Sequence, residues 1–172
     1  KVKINRELRD LDLKKNLEAK IELCEKTEEL LLEKSVTKAF KLLQKYHDEW
    51  KEIGPVPQEK KDEIWDRFKN TTDKINQVRR EHYSKIQEEQ QGNYEAKVAI
   101  CEKIEEVLND SINSIGAWQK KSNDVNELFK VWKSIGPAQK KLNDEIWSRF
   151  KGSMDTFFNN KKEFFSRLKE QQ

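Results

Sequence analysis

The sequence predicts an all-α protein built from elongated, tandem antiparallel three-helix bundle repeats with long coiled-coil-like third helices. One observation is a repeated segment, Trp-Lys-x-Ile-Gly-Pro, which begins at Trp50 and again at Trp132. A second is the helical spacing of the apolar residues. A third is the composition: 39% of the 172 residues are charged and 34% are hydrophobic, with 5 Gly and 3 Pro. Narrow helical bundles have this balance, and the regularly spaced aromatic residues argue against disorder.

The repeat extends over nearly the whole chain. Asn16 corresponds to Asn93 with an offset of 77 residues, and Trp50 corresponds to Trp132 with an offset of 82 residues. The second copy therefore contains five extra residues, which we place in the turn-rich stretch 109–117. We expect this insertion to lengthen a loop and to leave the helices unchanged.

The repeat boundaries predict the domain organisation. Residues 1–13 are interpreted as the tail of a preceding repeat or a linker helix, 14–91 as helical repeat 1 and 92–172 as helical repeat 2. The chain begins with Lys1, and its last residues match the end of the first copy. We therefore expect the chain to be part of a longer repeat array.

Each copy is predicted to contain three helices. Their ranges in the two copies are 14–33 and 93–109, then 36–53 and 118–135, then 58–90 and 139–171. Apolar residues in the second and third helices follow steps of 3 and 4, which is the coiled-coil rhythm.

The Gly-Pro pairs that begin at Gly54 and Gly136 are predicted to end the second helices. Glycine can adopt the left-handed conformation that closes a helix, and proline cannot continue one. The short loop makes the third helix fold back antiparallel. For the link between copies we favour a sharp bend at Gly92 with Asn93 as N-cap, and a continuous helix is the alternative.

The aromatic residues around these turns have two interpretations. We favour one hydrophobic cluster of Trp50, Trp65 and Phe68, with its counterpart in the second copy. The alternative is a surface for stacking or partner binding. Trp118 has no aromatic counterpart and is the candidate for an exposed anchor, although its spacing favours burial. The structural motif comprises Trp50, Ile53, Gly54, Pro55, Trp65, Phe68, Trp132, Ile135, Gly136, Pro137, Trp147 and Phe150.

The two histidines are predicted to be packing residues. His47 corresponds to Phe129, and His82 corresponds to Phe164. Because each position has histidine in one copy and phenylalanine in the other, we favour a partly buried packing role over a catalytic one.

The chemistry-bearing residues form no recognisable catalytic, metal or cofactor motif. Cys24 and Cys101 stand at matching apolar positions, so we expect two small buried hydrophobic residues. Without a disulfide framework the chain fits a reducing cytosol. It has no apolar run long enough for a membrane span, and no small-molecule substrate is evident.

Charged residues at shared positions are the remaining candidates for function. Glu63 with Arg67 and Glu145 with Arg149 are predicted to form favourable pairs four residues apart, and the arginines could instead contact a partner. Residues 116–172 carry 12 basic and 7 acidic side chains; we favour a solvated helical surface as the explanation, and an anionic partner is the alternative. The candidate partner contacts are Lys51, Arg67, Lys69, Trp118, Lys133, Arg149 and Lys151.

The repeated motif resembles the family called domain of unknown function 349. The resemblance rests on Trp-Lys-x-Ile-Gly-Pro followed by Ile-Trp-x-Arg-Phe-Lys, a long charged helix and Asn-x-x-x-Lys, and it covers almost all of the chain as two copies. The second copy departs from the pattern where Gln139 replaces the proline found at Pro57. The resemblance implies a bacterial cytoplasmic protein of tandem helical units, and it implies no activity or catalytic residues.

These observations predict a non-enzymatic helical-repeat module that binds another protein or a macromolecular assembly as a scaffold. The alternative is a protein that binds RNA or the ribosome through its basic C-terminal repeat.

Overall fold

The computed structural model describes residues 2–171, and its regular elements are helical throughout that range, which confirms the all-α class. The elements are α1 (Val2–Glu29), a single 3-10 turn (Leu30–Leu32), α2 (Val36–Glu52), α3 (Gln58–Asn109), α4 (Ile115–Ser134) and α5 (Lys140–Glu170). Contacts divide the chain into two compact units. We call residues 1–84 unit 1 and residues 85–172 unit 2, and the division falls within α3.

The long helix α3 corrects the predicted bend. It runs for 52 residues through Gly92, and Asn93 is an interior helical residue rather than an N-cap. An interior glycine costs only about 1 kcal/mol relative to alanine. The neighbouring Gln, Glu, Ala and Lys residues are good helix formers and offset that cost. Likewise α1 is continuous from Val2 to Glu29, so the predicted tail at 1–13 and the first helix are one element.

The second helix of each unit begins at a serine cap. The Ser35 hydroxyl accepts a hydrogen bond from the Lys38 amide, and the Ser114 hydroxyl accepts one from the Ala117 amide. From these caps α2 has 17 residues and α4 has 20. Three of the five extra residues therefore lengthen α4, and the prediction that only a loop would grow was wrong. The three residues precede the position that corresponds to the start of α2, so they extend α4 by nearly one turn at its N-terminus and leave the register of its buried face unchanged.

The Gly-Pro turns do not use left-handed glycine. Ile53 and Ile135 end α2 and α4 in extended conformations, and their amides donate to Trp50 and Trp132 carbonyls. No glycine in the described part of the chain has a positive φ. The predicted conformational reason for Gly54 and Gly136 was therefore wrong, and their surroundings supply another reason below.

The core of unit 1 consists of two hydrophobic clusters. The first lies near the Gly-Pro turn and the second near the α1–α2 connection; their buried members are Leu23, Cys24, Trp50, Val56, Ile64 and Phe68, and Leu30, Ala39, Leu43 and Ile75 respectively. Thr27 is fully buried between them, with its hydroxyl bonded to the Leu23 carbonyl.

The core of unit 2 is one continuous cluster. Ile104 stands where unit 1 has Thr27 and is fully buried, so apolar packing is uninterrupted. The cluster combines α3, α4 and α5 through Ile100, Cys101, Ile104, Trp118, Val125, Trp132, Ile146, Phe150 and Phe157.

Candidate interaction surface

A row of four residues on the first helix of each unit binds the Gly-Pro turn and the third helix. The row is spaced by four residues, which places its members on one helical face. We call it the anchor row; its members are Asn16, Lys20, Cys24 and Glu28 in unit 1 and Asn93, Lys97, Cys101 and Glu105 in unit 2.

The asparagine of the anchor row explains the glycine of the turn. Asn16 Nδ2 donates to the Pro55 carbonyl at 2.8 Å. A Cβ atom added to Gly54 would lie 2.9 Å from that nitrogen. Gly136 and Asn93 repeat the arrangement at the same separation. Glycine is therefore favoured, because a Cβ atom would displace the amide side chain that occupies this space.

The lysine of the anchor row packs on the tryptophan that ends the second helix. Lys20 Nζ lies 4.6 Å from the Trp50 ring centre. Lys97 Nζ lies 5.1 Å from the Trp132 ring centre and donates to Asn143 Oδ1 at 3.0 Å. Burial lowers the pKa of both ammonium groups from the usual lysine value. Both lysines help to cover the core aromatic residues.

The cysteine of the anchor row is buried as predicted. Cys24 and Cys101 are fully buried free thiols, each 3.8 Å from a third-helix carbonyl oxygen. Burial raises the pKa of each thiol to about 11, so neither is a ready nucleophile at neutral pH.

The glutamate of the anchor row corrects the predicted ion pairs. Arg67 Nε and Nη2 donate to the two Glu28 carboxylate oxygens at 3.0 and 2.6 Å. Arg149 makes the same two-point contact with Glu105 at 2.9 and 2.6 Å. The arginines therefore join two helices instead of pairing four residues back along their own helix. These hydrogen bonds lower the pKa of both glutamates.

The opposite flank of the third helix carries an exposed tryptophan in each unit. Trp50 stacks on Phe68 with ring centres 4.2 Å apart, whereas Trp65 lies at the edge of that pair and is 45% exposed. Trp147 is 37% exposed beside Trp132. The prediction that these two tryptophans belong to the core was wrong. Each covers the core edge with one face and leaves part of its ring in solvent.

Lysine and further aromatic side chains continue from each exposed tryptophan along the same flank. From Trp147 the spacing is 4, 7, 4, 3 and 4 residues, which keeps all members on one side of α5. We call these rows, with the nearby lysine at the end of the second helix, the aromatic–basic stripes. Stripe 1 is Lys51, Trp65, Lys69, Asn76, Arg80 and Tyr83; stripe 2 is Lys133, Trp147, Lys151, Phe158, Lys162, Phe165 and Lys169.

Contacts in unit 2 join the two helices along stripe 2. Lys133 Nζ lies 4.3 Å from the Phe129 ring centre, and Phe129 and Trp147 have ring centres 6.2 Å apart. Phe158 is 38% exposed and touches Phe157 edge-on. Stripe 2 thus presents aromatic surface and ammonium groups together.

The corresponding place in unit 1 is an open groove. It has a volume of about 450 Å³, and both apolar and polar side chains line it: Phe40, Leu43, Gln44, His47, Asp48, Thr72 and Asn76. His47 Nε2 lies 3.1 Å from Thr72 Oγ1, and burial, followed by the Lys51 charge, lowers the pKa of its imidazole.

The two histidine predictions have opposite outcomes. His47 is half-buried and packs 4.8 Å from Phe68, as predicted. His82 is exposed, so the prediction of partial burial was wrong. Its counterpart Phe164 packs on Trp118 of α4, and unit 1 has Val36 at the Trp118 position, which is too small to cover the ring.

The predicted contact residues fall into three groups. Lys51, Lys69, Lys133 and Lys151 are exposed on the stripes. Arg67 and Arg149 lie on the other flank with their guanidinium groups bound to glutamates, so the structure does not bring them together with the lysines. Trp118 is 6% exposed and is not a surface anchor; its indole nitrogen has no hydrogen-bond partner.

Sequence reasoning missed the anchor rows and the full stripes, although both leave a signal. Anchor-row residues are identical in the two copies at four-residue intervals. Four positions of the stripes have the same chemistry at identical spacings in both copies: Trp65, Lys69, Arg80 and Tyr83 match Trp147, Lys151, Lys162 and Phe165.

Within 2–171 no helix has the length and apolar character needed to cross a lipid bilayer. In the same range, His, Cys, Asp and Glu side chains form no group of three or more that could hold a metal ion.

Comparison with protein families gives one match. The model described as Domain of Unknown Function (DUF349) matches residues 1–59 and 63–141. Each matched segment contains one complete Trp-Lys-x-Ile-Gly-Pro turn, and the second begins inside α3. No curated protein and no solved structure matches the chain.

Proposed function

The chain is a member of the DUF349 family, and we propose that it is a non-enzymatic helical-repeat interaction module, a scaffold that binds another protein or a macromolecular assembly. One observation carries the proposal: each unit presents an exposed tryptophan in the same aromatic–basic stripe. The core needs the stacked Trp50 and Trp132, whereas Trp65 and Trp147 keep ring surface in solvent.

Such tryptophans suit a binding surface. Tryptophan is enriched among the few residues that dominate interface energies, where it is surrounded by contacts that exclude water. A ring already held against the core loses little conformational freedom on binding, so less of the interaction energy is spent on ordering it. The lysine one turn after each tryptophan and the lysine at the end of the second helix favour a partner of negative charge.

A second candidate function is binding to RNA or the ribosome. The observation that favours it is the excess of 12 basic over 7 acidic side chains in residues 116–172. This range contains α5 and the whole of stripe 2. Basic side chains that neutralise phosphates release the bound counterions, so the affinity of such binding would fall steeply as the salt concentration rises.

For the cellular location we propose the bacterial cytoplasm. Two buried free thiols without a disulfide suit a reducing compartment.

The test is an affinity purification of the tagged chain from bacterial lysate, with and without nuclease. Wild type is compared with W65S/W147S, with K69Q/K151Q and with the charge-matched control K26Q/K103Q, which changes exposed lysines outside the stripes. We expect the same partner protein with wild type and control, retained after nuclease treatment, and reduced severalfold with both stripe variants. Equal recovery by all four proteins would refute a stripe-mediated interaction.

A further inference from the structure

We infer that stripe 2 binds single-stranded nucleic acid, with bases stacked on the exposed rings of Trp147 and Phe158 and on the partly buried edge of Phe165, and with phosphates held by the intervening lysines. The inference rests on the proposed role of the stripes as binding surfaces and names the partner of the second one.

The first argument is the alternation along α5. Trp147 is followed one turn later by Lys151, Phe158 by Lys162, and Phe165 by Lys169. At about 1.5 Å of rise per residue, the stripe extends for roughly 33 Å along the helix. Single-stranded nucleic acid is bound without sequence preference by this combination of aromatic platforms and a basic track.

The second argument is the charge around the stripe. On α4, Phe129 adds an aromatic ring beside Lys133 of the stripe, and the neighbouring Lys130 is an exposed further cation. Between Trp147 and Lys169 of α5, Asp155 is the one acidic residue whose helical position lies beside this flank. Asp144 lies one turn before Trp147. A surface with this excess of cations attracts a polyanion along its length, because a cation lies next to each aromatic ring.

The third argument separates nucleic acid from a protein partner. Lysine is depleted in the buried centre of protein interfaces. In stripe 2 lysines lie between the aromatic residues rather than around them, so a protein covering the rings would have to bury ammonium groups. Phosphates between stacked bases would neutralise the same groups.

Unit 1 provides an internal contrast. Unit 1 has Asn76 in place of Phe158, Gln87 in place of Lys169 and, beside the stripe, Asp48 in place of Lys130. One stacking platform and two cations are therefore missing, and we assign the nucleic-acid site to unit 2.

The experiment measures binding of the full chain to fluorescent oligouridylate and oligodeoxythymidylate of about 16 nucleotides. A duplex of equal length and a glutamate-rich peptide are the comparison probes. We expect both single strands to bind at least about tenfold more tightly than the duplex or the peptide.

The charge variant K133Q/K151Q/K162Q tests the phosphate contacts. It should weaken single-strand binding at least about tenfold at low salt and reduce the slope of log affinity against log salt by about 2. The control K103Q/K120Q/K141Q removes three exposed lysines of unit 2 that lie off the stripe, and it should leave the slope within about 1 of wild type.

The aromatic variant F158N installs the residue found in unit 1 and changes no net charge. Phe158 touches Phe157 but is 38% exposed, so folding should survive the change, as urea unfolding would verify. We expect binding to weaken by a factor of about 5 to 100, the loss of one stacked base. N76F should strengthen binding or leave it unchanged.

Equal effects of the two lysine triples, or no effect of F158N in a folded protein, would overturn the inference. Preference for the glutamate-rich peptide would also overturn it, yet would leave the proposed interaction module standing with an acidic protein as partner. If W65S/W147S loses the partner protein and wild type binds no nucleic acid, the proposed interaction module is supported and the nucleic-acid inference is overturned.

Discussion

Units 1 and 2 share the contacts that hold the Gly-Pro turn and the first helix in place, and they differ in the face between their second and third helices. The anchor row, the stacked Trp–Phe pair and the arginine–glutamate bridge have the same geometry in both units. On the differing face, unit 1 has His47 and Thr72 where unit 2 has Phe129 and Met154. The motif therefore maintains the turn in both units, while the neighbouring face is free to acquire different chemistry.

The cores differ in the same way. Two clusters make up the core of unit 1, with buried Thr27 between them on α1 and partly buried Tyr46 packed against both, whereas Ile104 belongs to the one continuous cluster of unit 2. A change in one cluster of unit 1 should therefore remain more local than the equivalent change in unit 2.

The largest expected effect comes from the ring beneath each turn. F68A and F150A each remove a fully buried phenylalanine and should each lower the free energy of unfolding by about 3–5 kcal/mol. Hydrogen exchange followed by mass spectrometry should show F150A loosening the whole of unit 2. With F68A, amides around Leu30, Ala39 and Leu43 should keep most of their protection. Uniform loss of protection in unit 1 would contradict the description of two clusters.

The second prediction concerns the coupling of asparagine and glycine at the turn. N16A should cost about 1 kcal/mol of unfolding free energy because a hydrogen bond to the Pro55 carbonyl is lost. G54A should cost a similar amount because the added Cβ displaces the same amide. The double variant should cost no more than one single variant, giving a coupling energy of about 1 kcal/mol in urea unfolding.

The same cycle at Asn93 and Gly136 should give the same coupling. G92A is the control, because nothing lies within 4 Å of its added Cβ and the residue is helical. It should stabilise the protein by up to about 1 kcal/mol. Additive costs for N16A and G54A would show that the close approach of the amide is not the reason for glycine.

The fold class and the turns could be predicted because they depend on local chemistry repeated twice. Helical spacing, scarce Gly and Pro and the duplicated Gly-Pro pair all act within a few residues. The continuous course of α3 through Gly92 could not be predicted from such local patterns. Its cost of about 1 kcal/mol is small beside the helix-forming preference of its neighbours, and Asn93 is engaged by Pro137 from another element.

The candidate site could be predicted only in part, for a related reason. Composition and pattern place Lys51 and Lys69 on the surface, but they do not show which flank of a helix faces which neighbour. Arg67 and Lys69 differ by two residues, and this separation turns their side chains to opposite flanks. The partner of Arg67 is 39 positions away in the chain, beyond the reach of any local pattern.

The third prediction uses the histidine that distinguishes the units. Because burial lowers the pKa of His47, its neutral form is favoured in the folded state. Its contribution to stability is present above the ordinary histidine pKa of 6.5 and is lost as the pH falls from there toward the folded value. Hydrogen exchange from pH 7.5 to 5.5, corrected for intrinsic rates, should show unit 1 losing protection and unit 2 changing less. H47F should remove the difference; persistence of the pH effect in H47F would assign it to another group.

The smallest expected effect is one in which the units should agree. R67K and R149K keep the charge but lose the two-point contact with glutamate, and each should cost up to about 1 kcal/mol because the pairs are partly exposed. The arginines lower the pKa of Glu28 and Glu105, so this stability is present above the ordinary glutamate pKa of 4.5 and disappears as the pH falls through the lowered folded value. Urea unfolding between pH 6 and 3 should therefore converge for wild type, E28Q and E105Q at the acidic end. A greater loss for E105Q than for E28Q at pH 6 would show that the bridge, unlike the turn, has diverged between the units.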